Sequence, residues 1–586
     1  MTQEKRSLLR SKPVVQSTST NDGSNKSAAV QTTAVLDEAH VGDIIGALGT
    51  VKLDQSKNKR TGWRRIFTLL AIMGPGLVVM VGDNDAGGVA TYAQAGQNFG
   101  PHLLWTLLLL VPVLYVNQEM VVRLGAVTGV GHARLIFNRF GKFWGAFSVI
   151  DLFILNALTI VTEFIGVDLA FRYFGIPSYV GIPIAGVLLF LFASGGSFRK
   201  WERWMYGLIA LNLAVIPMAI LVHPNYSTVA TNTLIPNFPG GLNAGLLLLI
   251  IAIVGTTVAP WQLFFQQSNV VDKRITPRWI KYERADTAIG VVLTEIGAGA
   301  LLCVAAFALG HTHAAGHFTD ALATANSLRT HAGSVVGDLF AIVLLDASLI
   351  GASAVTLSTT YALGDVFKVR HSLHWSPRRA PVFYTVFALL LALSAGIVLI
   401  PNAPLGLITT GVQALAGVLL PSATVFLVLL CNDKAVLGPW VNTPARNLVA
   451  GSIVWVLVLM SLALTAATMF PNLTGPQLSY GMVAGGVVGA VTGVVGYGYK
   501  RLSSSARLVP GSRKGLDDLK GLADFDNGAD VGILSYDKEN WRTPSLDTLP
   551  RAEMSIVRLA GLGVLRIYLA IAVVLVIVKV IQLSIH

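Results

Sequence analysis

Charge and cysteine are both scarce in this chain. Only 13% of its 586 residues are Asp, Glu, Lys or Arg, about half the share of an ordinary soluble domain. So little charge cannot coat one water-soluble body of this length, which excludes a soluble enzyme carrying a membrane anchor. The two cysteines, Cys303 and Cys431, lie in separate apolar stretches with no second thiol nearby in sequence. That leaves no disulfide framework and no cysteine metal knuckle, and both read as core residues. An apolar run near Met1 is also missing. Residues 1–65 are polar, Ser/Thr-rich and charged, so no signal peptide is read there, and the segment is expected to be a disordered cytoplasmic tail. No nucleophile constellation, His/Cys ligand spacing or phosphate-cradling loop is found. An enzyme is therefore not expected, and neither is a cofactor.

What is abundant is apolar sequence: 53% of the residues are hydrophobic and the mean hydropathy is +0.64. Stretches long enough to cross a bilayer number roughly thirteen, at about 67–97, 101–126, 143–172, 178–196, 203–223, 242–270, 285–310, 335–364, 381–401, 404–431, 447–470, 477–499 and 557–582. The fold class is thus an all-α polytopic membrane protein whose main partner is the lipid bilayer. The net charge of +12 does not point to nucleic acid, because the basic residues form short clusters between spans. Those clusters, Lys59–Arg65, Arg134–Lys142, Arg199–Arg203, Lys273–Arg284, Lys368–Arg379, Lys434–Arg446 and Lys500–Lys520, fall in every second connection. The intervening connections are almost free of Lys and Arg. This alternation predicts a cytoplasmic N-terminus, and a plasma (inner) membrane is the expected location. Residues 501–555 read as a cytoplasmic linker before a last transmembrane helix within 556–586.

Two spans differ from the others in being long and broken by a polar run. The first holds Gly82-Asp83-Asn84-Asp85-Ala86-Gly87-Gly88, and the sixth holds Gly255-Thr256-Thr257-Val258-Ala259-Pro260-Trp261-Gln262. Glycine weakens a helix and proline removes a backbone bond, so both runs should unwind. Unwound backbone at membrane depth needs protein or a water-filled cavity around it, so the two breaks should face each other. Their five-helix separation makes 66–235 and 236–433 equivalent halves with helices 11–12 following in 434–500, a plan that resembles the inverted repeats of LeuT-like transporters.

An ionised aspartate at the bilayer centre costs roughly 2.5–3.5 kcal/mol on insertion scales, so Asp83 and Asp85 each require a reason. A carboxylate beside freed carbonyls makes an oxygen-rich site suited to a hard cation such as Mg²⁺ or Mn²⁺. For Asp83 an exposed or capping role is an equal reading.

The segment Gly82–Gly96, GDNDAGGVATYAQAG, resembles the first-helix signature of the Nramp family of divalent-metal transporters. The family's core reads Asp-Pro-Gly-Asn, and here Asp85, Ala86, Gly87 and Gly88 stand at those positions. The resemblance continues through Gln118 with Arg123-Leu124-Gly125, Glu163-Phe164-Ile165-Gly166, Phe198-Arg199-Lys200-Trp201-Glu202, the sixth-helix break and Gln413. It covers roughly 65–470. It implies a metal site at Asp85 and at Gly88 and Ala259, where the family has asparagine and methionine. Thioether sulfur favours transition metals, so its loss implies a harder and wider site, similar to the Nramp-related magnesium transporters. Thr256, Gln262 and Gln413 are further candidate ligands, direct or through water, and could equally serve interhelical hydrogen bonding. Asp83, Glu163, Thr257 and Trp261 are assigned to the gate or ion path.

The family's proton coupling is associated with an acidic pair in helix three and a histidine in helix six. Here those positions hold Ile160 with Glu163, and Trp261. Uncoupled uptake of Mg²⁺ and Mn²⁺ is therefore expected, and Glu163 reads equally as a relay remnant or a satisfied buried acid. The alternatives are a proton-coupled Mn²⁺/Fe²⁺ symporter, a LeuT-like amino-acid symporter, whose substrate carboxylate Asp85 would repel, and a membrane sensor. Glu295 and Asp346 are read as lone acids along the ion path, Asp286 as a partner of Arg284 in a cytoplasmic gate, and His311, His313, His317 and His331 as a solvated external loop.

Overall fold

The computed structural model describes residues 33–52, 62–401, 404–470, 473–506 and 538–550, with Ala552 and Gly563. A short antiparallel hairpin of β1 (Ile44–Gly46) and β2 (Gly49–Val51) precedes the helices. The principal helices are α1 (Trp63–Ile72), α2 (Pro75–Val81), α3 (Ala86–Phe99), α4 (Leu104–Thr128), α5 (His132–Phe140), α6 (Lys142–Tyr173), α7 (Ser178–Ala193), α8 (Phe198–Asn212), α9 (Val215–Leu221), α10 (Tyr226–Leu234), α11 (Ala244–Thr257), α12 (Pro260–Asp272), α13 (Ile280–Leu309), α14 (Ala321–His331), α15 (Ser334–Phe367), α16 (Pro381–Val398), α17 (Leu405–Cys431), α18 (Pro444–Met469) and α19 (Gly475–Ala506).

Ten helical stretches in the described residues are long and apolar enough to cross a membrane. One of them, Ala86–Thr128, is two spans. α2 and α3 run beside α13 in its own direction, with Gly76 against Thr287, Gly290 against Met80 and Gly96 against Ala305. α4 runs the other way, since Gly299 of α13 touches Leu104 and Leu107 while Arg284 reaches Glu119. The chain reverses in the 3-10 turn Gly100–Leu103, where Gly100 has φ +60°, a value glycine alone adopts freely. The sixteen-residue α7 is apolar but shorter. The expected span 557–582 lies outside the described residues.

Four expectations change. Residues 67–72 do not run straight into the first span: they end α1, an amphipathic helix with Trp63, Ile66 and Phe67 exposed, which meets α2 at a 57° bend. Residues 33–52, read as disordered tail, are folded, because their backbone groups find partners on the basic face of the bundle. Residues 538–550 of the linker likewise dock there, with Arg542 Nη1 donating to the Ala126 carbonyl at 2.7 Å. α19 runs on to Ala506, past the expected boundary at 500.

Long helices of the bundle pack through small residues. α11 lies on α17 where Gly255 meets the Gln413 carbonyl and Gly417 meets that of Ile251. α6 lies along α15, where Gly166 touches Ser348 and Gly351 touches Glu163.

Candidate functional site

The first break is residues 82–85, between the end of α2 and the start of α3. Asp85 is extended (ψ −176°) and caps α3, its Oδ1 accepting from the Gly88 N–H at 2.8 Å. A carboxylate at a helix N-terminus is stabilised by the free N–H groups there, so the cap both orients Asp85 and ends the break. Glu163 of α6 closes the other side: its Oε2 accepts from the Ala86 N–H at 3.1 Å, and its carboxyl stands beside Asp85 against Gly351. Glycine at 351 is required for this contact. A Cβ there would lie 2.5 Å from Glu163 Oε2 and 2.8 Å from the Asp85 Cβ.

The second break is narrower than expected. Only Val258 and Ala259 leave the helix, and α11 and α12 together make one span of 28 residues. Pro260 starts α12 without needing a helical donor, leaving Thr256 and Thr257 in the last turn of α11. Gln262 Nε2 donates to Asp83 Oδ1, and Gln118 Nε2 donates to Gln262 Oε1 at 3.2 Å. Thr257 Oγ1 donates to the Ile253 carbonyl at 2.7 Å, so Tyr92 is the donor in its 2.7 Å bond to Thr257. A Cβ at Gly88 would stand 2.9 Å from the Asp83 carbonyl oxygen and 3.3 Å from Thr256 Oγ1, which places position 88 between the breaks. Gln413 lies over Gly87. Thr256 Oγ1, Gln413 Nε2, Asp83 Oδ2 and Glu163 Oε1 are buried without hydrogen-bond partners. Unpaired buried polar atoms are costly, so their gathering around two breaks marks a place where a polar guest would be stabilised.

Asp85 is 2% exposed, so the site is closed on both sides. Towards the face opposite the basic clusters, a small cavity lined by Ala86, Ala90, Gly166, Phe318, Asp320 and Thr409 stops under the loop 311–320. That loop is latched to the end of α3: Gln97 Nε2 donates to the Ala314 carbonyl at 2.7 Å and the Phe318 N–H to Asn98 Oδ1 at 3.2 Å. Towards the basic face stands α2.

The Nramp model, described as natural resistance-associated macrophage protein-like, matches residues 76–467, more than half of the chain. The chain belongs to the Nramp family. It is 30% identical over 406 residues to the divalent metal cation transporter MntH of Ralstonia nicotianae, covering 66% of this chain and 88% of the relative. It is 29% identical over 418 residues to that of Lacticaseibacillus casei, with 69% and 90% covered. Among solved structures it is similar to the Eremococcus coleocola manganese transporter, with a TM-score of 0.57, 21% identity, and 78% of this chain and 99% of that one covered. This likeness shows the LeuT-like fold.

In this Nramp chain the structure brings Asp85, Asp83, Gly88, Thr256, Thr257, Gln262, Gln413 and Glu163 together. Ala259 caps α12, its carbonyl accepting from the Gln262 N–H at 3.2 Å. Trp261 packs its ring 6.1 Å from that of Phe265, and its carbonyl accepts from Ser358 Oγ at 2.9 Å. Asp286 corrects an expectation: it does not pair with Arg284, because residues two apart on a helix point in different directions. Arg284 bonds Glu119 at 2.5 Å, while Asp286 accepts from the N–H groups of Gly74 (3.0 Å), Gly76 (2.7 Å) and Leu77 (3.2 Å). Neither carboxyl oxygen of Glu295 or Asp346 has a partner. His311, His313, His317 and His331 are exposed, and no cluster of three or more His, Cys, Asp or Glu able to hold a metal occurs among the described residues. Sequence reasoning missed Tyr92, Asn84, which donates to the Thr294 carbonyl at 3.1 Å, and Gly351. Only Gly351 had a signal, the small-residue run Gly351-Ala352-Ser353-Ala354.

Proposed function

We propose that this chain carries divalent metal cations, Mg²⁺ and Mn²⁺, by alternating access at the facing breaks, and that uptake runs without proton coupling. One observation carries the reading: the unpartnered oxygens around Asp85, on Asp83, Glu163 and Thr256, are hard donors with no sulfur among them, with Ala259 and Gly88 where the family pattern has methionine and asparagine. Oxygen donors suit hard cations. A wider site also lets Mg²⁺, which dehydrates reluctantly, keep part of its water shell. The family relatives named divalent metal cation transporters, and the manganese transporter of like fold, support the same substrate class.

Asp85 supplies the main negative charge. Asp83, held by Gln262, supplies a carbonyl beside position 88 and a carboxyl at the start of the inward route. With the basic face cytoplasmic, the membrane potential favours inward movement by about 2.3 kcal/mol per charge per 100 mV. Ile160 and Trp261 cannot take up a proton. The contact of Glu163 with Asp85 favours a second reading, in which an arriving cation displaces a proton shared by the two carboxyl groups and uptake is coupled. Proteoliposomes containing the purified protein and an internal pH dye decide between them. Mg²⁺ and Mn²⁺ uptake without acidification is expected; acidification that tracks uptake and vanishes in Glu163→Gln establishes the coupled reading, and no uptake of either ion rejects both.

A further inference from the structure

Residues 33–52 lie across the basic face as a continuous strap. At one end the Ala34 N–H donates to the Thr543 carbonyl at 3.1 Å, and Val35 rests on Gly129. A turn then sets His40 beside Asp37 (3.2 Å) and Asp272 (3.9 Å). The hairpin β1–β2 finally seats Gly46 and Gly49 on Ala71 of α1. The strap's backbone is held by charged groups from two other helices. Arg274, just past α12, donates to the carbonyls of Ala39 (2.7 Å) and Asp43 (3.3 Å). From α8, Arg199 and Arg203 donate to the carbonyls of Gly46 and Ala47, each at 3.1 Å, and Glu202 Oε2 accepts the Ala47 N–H at 2.5 Å. Bonds to charged groups are among the stronger ones a backbone makes.

Beneath the strap is the joint between α1 and α2. Its Met73 carbonyl accepts from Lys273 Nζ at 2.6 Å and from the Tyr206 hydroxyl at 2.5 Å, and Lys273 pairs with Glu202 at 2.5 Å. α2 is buried along its whole length and stands between Asp83 and the basic face. Its glycine-mediated seats on α13, Gly76 on Thr287 and Gly290 on Met80, are as close as backbones allow, so no ion passes while they hold. A path from the site to this face needs α2 to leave α13, which carries the α1–α2 joint away from Lys273 and Tyr206. The strap lies over that joint and is anchored to α8 and α12.

We propose that residues 33–52 are an inner lid: a strap that braces α2 in the closed position and is released when the site opens to the basic face. The proposal rests on alternating access at the breaks and not on which ion is carried.

Asn269 on the inner half of α12 is 1% exposed with both amide atoms unpartnered, so Asn269→Cys reports opening, and native Cys303 and Cys431 are buried. In nanodiscs, a membrane-impermeant thiol reagent should label Asn269→Cys at least fivefold faster when Gly46→Val is added, since a side chain at 46 would press on the Ala71 backbone and lie within 3.1 Å of Lys273 Nζ. Removal of residues 1–52 should do the same. In the opposite sense, Ala47→Cys with Arg203→Cys, joined by a disulfide-containing bismaleimide, should cut labelling of Asn269→Cys and Mn²⁺ uptake to below a tenth until the linker is reduced. Equal labelling with and without the strap overturns the proposal, as does undiminished labelling of the linked protein. If Gly46→Val and the truncation fail to fold, the linked protein decides. Labelling needs no ion, so a failure of the transport reading leaves this test intact.

Discussion

Replacing Gly351 by alanine adds one methyl group where α3, α6 and α15 converge on the candidate site. The new carbon would lie 2.5 Å from Glu163 Oε2, 2.6 Å from Glu163 Cδ and 2.8 Å from the Asp85 Cβ, all inside van der Waals contact. Overpacking of this kind costs about 1–3 kcal/mol. Moving Glu163 aside also weakens its bond to the Ala86 N–H, worth roughly 1.5–3 kcal/mol for a charged acceptor. Alanine regains only about 0.5–1 kcal/mol of helix propensity. The net expectation is a loss of about 1.5–5.5 kcal/mol, together with a displaced Asp85 and a Mn²⁺ affinity lowered about tenfold, which corresponds to roughly 1.4 kcal/mol. Gly207 in the middle of α8 has nothing within 4 Å of its would-be Cβ, so Gly207→Ala should be neutral or slightly stabilising. The assay is thermal unfolding of both purified variants followed by tryptophan fluorescence, with Mn²⁺ titration by calorimetry. If Gly351→Ala melts with Gly207→Ala and binds Mn²⁺ within twofold of the parent, the convergence of Asp85, Glu163 and α15 is wrong.

Asp85→Asn should lower divalent-ion affinity by at least tenfold, about 1.4 kcal/mol, without unfolding the protein, and Asp83→Asn should lower it less. Calorimetric titration of both variants checks this, and unchanged affinity in Asp85→Asn removes it from the site. Gly88→Asn combined with Ala259→Met should move preference from Mg²⁺ towards Mn²⁺ or Cd²⁺ in competition uptake, at some cost in stability because a Cβ at 88 must displace the Asp83 carbonyl now 2.9 Å away. His371, in the loop after α15, would be lowered by burial alone, but Asp365 at 3.2 Å outweighs this and raises its pKa above the ordinary 6.5. The pair therefore contributes fully below about pH 6.5 and fades as pH rises through the raised value. Melting temperature should fall with rising pH in that window, and His371→Gln should flatten the dependence.

Much of the plan was legible along the chain. Composition alone demanded lipid, because so little charge cannot cover a soluble body, and the alternation of basic clusters follows from the electrostatics of membrane insertion. Both breaks were visible because Gly, Pro and Asp have local effects on a helix that no neighbour is needed to explain, and Asp85 and Thr256 were named from them, Gln413 from the family resemblance. What the sequence could not carry were facts that depend on two distant segments meeting. Gly351 is an unremarked helix glycine until Glu163 and Asp85 lie against it. Asp286 looks like a partner for Arg284 two residues away until α2 offers it three N–H groups from more than two hundred residues earlier. Residues 33–52 read as tail because they belong to the charged, Ser/Thr-rich stretch before the first span, and their order comes from burial of Ile44 and Val51 in the core and from arginines of α8 and just past α12. Periodicity, helix breaking and charge bias are written locally, whereas the pairing of buried polar groups is decided only when the chain has closed on itself.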